Sequence, residues 1–517
     1  MEEMRRVAEK APRRSRWSHP RRMLFGSTLV AACVVLGAAG TSSAAAPARG
    51  VPRSALPRSP APGKWTALSN NAAQPSSSPT VVWTDKAANA TVLWYREIGT
   101  SSTFTYEAAV VGPDGSLVTH PYSIFGSSGW LGLSDKPALV AHGNTPLVVF
   151  DGTRSFSSTD PYSHGCIVGA LASKPDWTPQ AWSLSNDCYN PTNGGATETK
   201  TGELSAAWPG GEGVEYRLGT SGTIPATGTD GQIPVASANV GEVGEAADTA
   251  GNDDVYVGWE QIFSHPASAD GYYVQDVTSD GPVRRAPDSG TNSTNFLNLY
   301  SDLPITSTNT HSGVFLAYCS NASSSTCSLL LWRVGSAKAL KIPRSAGAYH
   351  VAISAGPDGR LWIAWYNQST DTISTVRTNR SDTAFGPVEV YKTPFCFEHG
   401  LVGVSGGSWG RLDVALQCVN QSLRNEEYVT QSLTALAVSP DRATIHNTVS
   451  HNVTFTVTDA GDLVAGAKVR VAGMSATTGP SGTATFSFPK GMATGDYLVV
   501  AKALNYFSAQ GTLHVKG

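Results

Sequence analysis

The chain is predicted to be all-β: a seven-bladed β-propeller followed by a small Ig-like β-sandwich. Three observations carry this prediction. The composition is rich in Gly (52) and Pro (31) with only 15% charged residues, and almost no stretch has helical period. A short strand pattern apolar on both faces recurs about every 50 residues, the spacing of a propeller or solenoid array. The last 80 or so residues change texture, to strands with one wet face.

The N-terminus reads as a targeting segment over 1–46. A basic region ends at Arg21-Arg22, an apolar run covers Met23 to Gly40, and Ala44-Ala45-Ala46 offers a cleavage site. "PRRMLF" resembles a twin-arginine signal, with Pro20 where Ser or Thr is usual, so twin-arginine and ordinary secretion both stay open. Two other readings compete: a lipoprotein box ending at Cys33, and a retained membrane anchor. The run continues as "VVLGAAG" beyond Cys33, where a lipidated cysteine would be followed by polar sequence. Cleavage and release to the extracellular space is therefore the reading preferred. Residues 47–63 form an Ala/Pro linker.

Net charge is −3, but the first 46 residues hold eight Lys/Arg against three Glu, so the remainder is acidic. No basic block survives there, which argues against a nucleic-acid partner, so none is expected. After cleavage the expectation is a monomer with no membrane contact.

The propeller is read over 64–435. Its landmarks are "ATVLWYRE" (Trp94), "TPLVVFDG" (Phe150), "GELSAAWPG" (Trp208), "DDVYVGWEQ" (Trp259), "GVFLAYCS" (Tyr318), "RLWIAWYN" (Trp365) and "RLDVALQC" (Gln417). In the sixth, Leu361, Ile363 and Trp365 point one way and Trp362, Ala364 and Tyr366 the other. Such a strand belongs between two neighbouring sheets. Before six of the seven runs lies a tight turn, for example Gly251-Asn252 or Asp358-Gly359, and before each turn a run of small residues such as "VAISA". Small side chains suit crowded inner strands around an axis. Two further strands per repeat complete a four-stranded blade. "KWTALSN" (64–70) echoes "AWSLSN" (181–186), and the last repeat lacks an outer strand of its own, so the N-terminal strand is expected to close the seventh blade.

With this pattern, residues 64–435 resemble secreted bacterial seven-bladed propellers, an architecture shared by lectins and sialidases. The sialidase Asp-box is absent: "SAGPDGRLW" (354–362) approaches it but stands before a second strand. The sandwich is read over 436–517. Val453, Phe455 and Val457 alternate, as do Val469 and Val471, then Ala484, Phe486 and Phe488. Its "GDLVAGAKV" and "TTGPSGTA" stretches resemble bacterial Ig-like and carboxypeptidase-regulatory-like domains, which implies a spacer or adhesion module.

The resemblance also implies that ligands bind on the face carrying the loops after second strands and between blades. The candidates there are Arg96, Glu97, Asp151, Arg154, Glu212, Glu260, Gln261 and Asn367, with Asp135, Glu242, Asp302, His350, Glu398 and His399 from inter-blade loops. Of these, Arg96, Glu97, Asp151, Arg154, Glu260, Asn367, Glu398 and His399 are taken as the ligand-binding set. Carboxylates dominate, so an acid–base pair acting on a glycoside is one reading and a solvated rim the other. No phosphate loop, G-x-S-x-G or metal-ligand spacing occurs, so no cofactor and no metal are expected. The six cysteines after the signal are paired in the prediction as Cys166–Cys188, Cys319–Cys327 and Cys396–Cys418. The function read from these features is a non-catalytic extracellular protein recognising a glycan or other surface polymer. The alternative is a secreted glycoside hydrolase or lyase using the same acidic loops.

Overall fold

The computed structural model describes residues 65–68 and most of 80–517. The longest internal stretches outside the description are 156–165, 183–193, 220–227, 291–302, 321–326 and 394–401. The described part is almost wholly β, with a single short 3-10 turn at Ala267–Ala269. No helix among the described residues is long and apolar enough to cross a membrane.

Seven antiparallel sheets stand in a ring, six built on strands consecutive in the chain and the seventh on three consecutive strands and the N-terminal one. Their first strands are Thr80–Thr84, Ala138–His142, Gly195–Glu198, Asn239–Ala247, Ile305–Ser307, Ala348–Ala355 and Val402–Ser405. Each lies beside the next, and the seventh lies beside the first, so the ring closes. The crowding has a visible cause. A Cβ on Gly244 would fall 2.6 Å from the Leu303 carbonyl oxygen of the next sheet, a distance that only glycine permits.

The two-faced second strands fill the space between blades. In blade 6, Leu361, Ile363 and Trp365 pack with blade 5 residues such as Leu316 and Leu331. Trp362, Ala364 and Tyr366, on the opposite face, join Val402, Leu412, Val414 and Leu416 of blade 7. Trp94, Phe150, Trp259, Tyr318 and Trp365 are all buried.

Closure of the ring uses the N-terminal strand. Thr66–Ala67 pairs antiparallel with Asn425–Thr434, Thr66 opposite Thr430 and Ala67 opposite Val429. Trp65 is buried and donates from Nε1 to the Lys392 carbonyl of blade 6 at 3.0 Å, and Thr66 Oγ1 donates to Gly115 O of blade 1 at 2.8 Å. One short strand thus ties three blades.

Two facing sheets follow the ring. One contains Leu436–Pro440, His451–Asp459, Asp462–Leu463 and Thr483–Phe488; the other Thr444–His446, Lys468–Val471, Met474–Thr477, Gly495–Lys502 and Ala509–Lys516. Val453, Phe455, Val457, Val469, Val471, Ala484, Phe486 and Phe488 share their core, as the alternation requires.

The sandwich is not a free spacer. Arg377 donates from Nη1 to both oxygens of Asp459 (2.9 and 2.8 Å) and from Nη2 to Asp358 (2.6 Å). Arg360 pairs with Asp462 at 2.6 Å and with Asp358 and Asp459 at 3.3 Å. Tyr506 OH donates to Asp459 at 2.9 Å. Arg411 of blade 7, fully buried, makes a two-pronged bond to Asp413 and lies 4.9 Å from the Phe507 ring centroid. Asp358 and Arg360, in the stretch that approaches the Asp-box pattern, are therefore the dock for the two facing sheets.

Of the expected disulfides, Cys319–Cys327 is present, with a Cα–Cα distance of 5.4 Å. In the expected pairings Cys166–Cys188 and Cys396–Cys418, Cys188 and Cys396 lie outside the described residues.

Candidate functional site

The first strands run from the loop-rich end of the ring towards the tight turns. Their axis-side backbone edges have no strand neighbour, leaving amides and carbonyls for other partners. A cavity of about 180 Å³ lies on this axis, lined from every blade, from Val82 in blade 1 to Gly403 in blade 7. It spans the axis from Lys136 and Leu303, which precede first strands on the loop-rich side, to Glu245 and Ile353, two residues before their strands end at the tight turns. Its charged lining residues are Lys136 and Glu245, both buried. Burial pushes the Glu245 carboxyl well above the usual carboxylate range, with the Thr197 backbone amide pulling weakly the other way. Neither Glu245 oxygen makes a hydrogen bond of ordinary geometry among the described residues.

A second polar group lies at the loop-rich end of blade 4. Glu260, near the end of Val255–Ile262, stands opposite Tyr272, in Gly271–Asp276. Register partners in an antiparallel pair share a face. Here that face is turned to blade 5, because Tyr272 packs 5.5 Å from the Tyr318 ring. Tyr318 OH in turn donates to Pro287 O at 2.5 Å. Glu260 is fully buried, and the register of the neighbouring first strand shifts beside it, between Val240 and Val243. A Cβ on Gly241 would sit 2.7 Å from Glu260 Oε2. Burial raises the Glu260 carboxyl to about 7; the Tyr272 hydroxyl lowers it somewhat and the Asp270 charge raises it. Tyr272 is raised well above the usual phenol range, first by burial and then by the charges of Glu260 and Glu242. Glu242 is buried beside them. The arrangement can hold, share or transfer a proton near neutral pH.

The other candidates divide. Arg96 pairs with Glu107, which also accepts from Trp94 Nε1 at 3.1 Å, so Arg96 braces the blade 1 hairpin. Glu97 is half-buried at the end of Ala90–Ile98. Asp151 is buried and lines a small crevice with Lys136 and Trp208, and Arg154 follows it, half-buried. Asn367 accepts from the Ser369 amide (3.1 Å) and hydroxyl (2.7 Å), capping a turn. Gln261 donates to Ser264 at 3.0 Å. His350 is buried at a bulge in its own first strand, beside Tyr349. Asp135, Glu212, Asp302, Glu398 and His399 lie outside the described residues. No group of His, Cys, Asp and Glu among the described residues is placed to hold a metal.

Sequence reasoning missed Lys136, Glu245 and Tyr272. The signal for Glu245 was present: "VGEVGEAA" puts a carboxylate in a first strand that is otherwise small and apolar.

No protein-family model matches the chain, and no curated protein does. Among solved structures the chain is similar to a protein of unknown function from Dyadobacter fermentans, at 10% identity and TM-score 0.43, covering 72% of this chain and 100% of that one. It is also similar to the polysaccharide lyase Uly1 (11% identity, TM-score 0.41, 68% of this chain and 89% of that one). A third is the α-L-arabinanase of Penicillium chrysogenum (13% identity, TM-score 0.37, 71% and 98%).

Proposed function

We propose that the chain is an exported glycan-recognition protein that binds one saccharide at the loop-rich end of the ring axis. The observation that carries this is the axial cavity. Small first-strand residues leave backbone donors and acceptors within reach, and Lys136 and Glu245 add two polar side chains at one side only. A polyhydroxylated ligand uses such a mixed donor and acceptor set, whereas an apolar ligand would leave those groups unpaired. The volume is below the roughly 300–1,000 Å³ of drug-sized pockets, which suits a single ring or a chain end. Because the lining differs from blade to blade, the stoichiometry is one ligand per chain.

The test is a glycan array on the purified chain, followed by titration calorimetry with Lys136→Met and Glu245→Gln. Saturable binding at one site, weakened by Lys136→Met, supports the reading. Binding at several equivalent sites, or none to any glycan, sinks it.

A second reading, hydrolysis or elimination at a glycosidic bond, is favoured by the Glu260 carboxyl held near 7 beside Tyr272 and Glu242. Turnover of a polysaccharide panel that Glu260→Gln abolishes would replace the binding reading with this one.

A further inference from the structure

We propose that the axial cavity takes a sugar carrying a free amino group, and that Glu245 is the residue that reads the ammonium. The proposal rests on the glycan reading above and names the ligand class for the same cavity.

The strand registers set one residue from each blade at a common level of the axis. In every blade the residue two before the landmark has a register partner on the first strand. These partners are Val82, Leu139, Ala196, Ile305, Ile353 and Gly403, and in blade 4 Glu245, opposite Val257. All of them line the cavity. Six blades thus show what the ring needs at this level, an aliphatic side chain or none. Blade 4 alone places a carboxyl there.

Glu245 is 6% exposed, and its strand lies hard against blade 3: a Cβ on Gly195 would fall 2.4 Å from the Glu245 amide nitrogen. Among the described residues the Thr197 amide approaches the carboxyl without ordinary hydrogen-bond geometry, and no cation pairs with it. Lys136, three residues before Leu139, enters roughly 10 Å further towards the loop-rich mouth. There it also lines the crevice beside Asp151.

A buried carboxyl without a cation is driven to its neutral form, and burial does this to Glu245. A ligand ammonium reverses the effect. The carboxyl proton leaves to solvent, and the two groups form an ion pair of no net charge inside aliphatic walls that strengthen the attraction. The other ammonium hydrogens can be taken by first-strand carbonyls on the axis-side edges. A hydroxyl makes poorer use of the position, because it gains one neutral hydrogen bond where the ammonium gains a charge-assisted one. The aliphatic ring suits the C–H surface of the sugar, so the ligand enters amine first and keeps its hydroxyls at the mouth with Lys136.

The test is titration calorimetry of the purified chain with glucosamine, glucose and N-acetylglucosamine, each as monomer and short oligomer. The three differ at a single ring substituent, and the titrations are run just below neutral pH, where the amine is charged. They are repeated on Glu245→Gln, with a thermal melt of each protein. Glucosamine is expected to bind at one site about tenfold or more tightly than either neutral sugar. Glu245→Gln is expected to remove that preference while melting no lower than wild type. Equal affinity of the wild-type chain for the three sugars overturns the amine assignment and leaves the glycan reading standing, and this arm needs no variant. Binding to other glycans of the array but to none with a free amine does the same. A preference for glucosamine that survives in Glu245→Gln overturns the role of Glu245. A wild-type chain that binds no glycan fails at the earlier step and removes both.

Discussion

Replacing Glu260 by Gln separates the charge of this residue from its shape. The carboxyl is raised from 4.5 to about 7 in the folded chain, first by burial. An unfolded chain ionises it near its ordinary value. Between about 4.5 and 7 the folded state therefore binds the proton that the unfolded state releases, and stability falls as pH rises through that window. At about 1.4 kcal/mol per pH unit, the gap corresponds to a loss on the order of 3 kcal/mol, complete above pH 7. Gln mimics the protonated form and cannot titrate, so Glu260→Gln removes this loss. Urea unfolding at pH 4.5 and pH 8 measures it. The variant is expected to match wild type at pH 4.5 and to exceed it by up to about 3 kcal/mol at pH 8, with Tyr272, Glu242 and Asp270 unchanged. A Glu260→Gln chain that keeps the wild-type pH dependence, or is less stable than wild type at pH 8, would refute the assignment of a buried, cation-free carboxyl.

Three further outcomes are expected. Asp459→Asn leaves Arg377 and Arg360 facing a neutral amide in a buried interface, and chemical unfolding should show a loss of about 3–5 kcal/mol, nearer the lower end because Asp358 and Asp462 remain. Removing residues 64–68 strips blade 7 of its outer strand and takes away Trp65; limited proteolysis should cut within Asn425–Thr434 faster, and the melting temperature should fall. Replacing Cys319 and Cys327 by Ser opens a short loop of sequence separation 8, for which chain entropy gives about 2–3 kcal/mol by denaturant titration.

The ring was legible because its strands carry two signals at once. A strand apolar on both faces, as at 361–366, has to be shared between two sheets, and the structure divides those six side chains between the cores on either side. The closing strand was legible from a sequence echo, and the sandwich from plain alternation at Val453, Phe455 and Val457. The polar chemistry was less so. Arg96 faces Thr105 across its hairpin, in reach of Glu107, and that register depends on a turn that periodicity leaves open. Glu260 meets Tyr272 only because Phe263–Asp270 is looped out. Asp358 and Arg360 read as a turn, since nothing near them in sequence announces that Asp459, a hundred residues on, will complete their charge set.

Some buried carboxyls of the ring have a charged partner and two in blade 4 do not, and this difference bears on function. Near the sandwich, Asp358 and Asp459 face Arg360 and Arg377, Asp413 faces Arg411, and Asp382 faces His311 at 2.6 Å, while Asp248 in the blade 4 turn accepts from the Ser312 hydroxyl and the Gly313 amide. Such pairs cost desolvation but leave no charge uncompensated, and they fix one arrangement of the two domains. Arg96 likewise satisfies Glu107, but Glu260 at the loop-rich end and Glu245 on the axis, two residues before the tight-turn end of Asn239–Ala247, are buried with no guanidinium or ammonium partner among the described residues. Structural needs alone would favour an apolar residue at either position, because an unpaired buried carboxyl lowers stability without improving packing. Two such carboxyls in one blade are what a site under functional demand would produce, with the paired contacts to the sandwich acting as its rigid support.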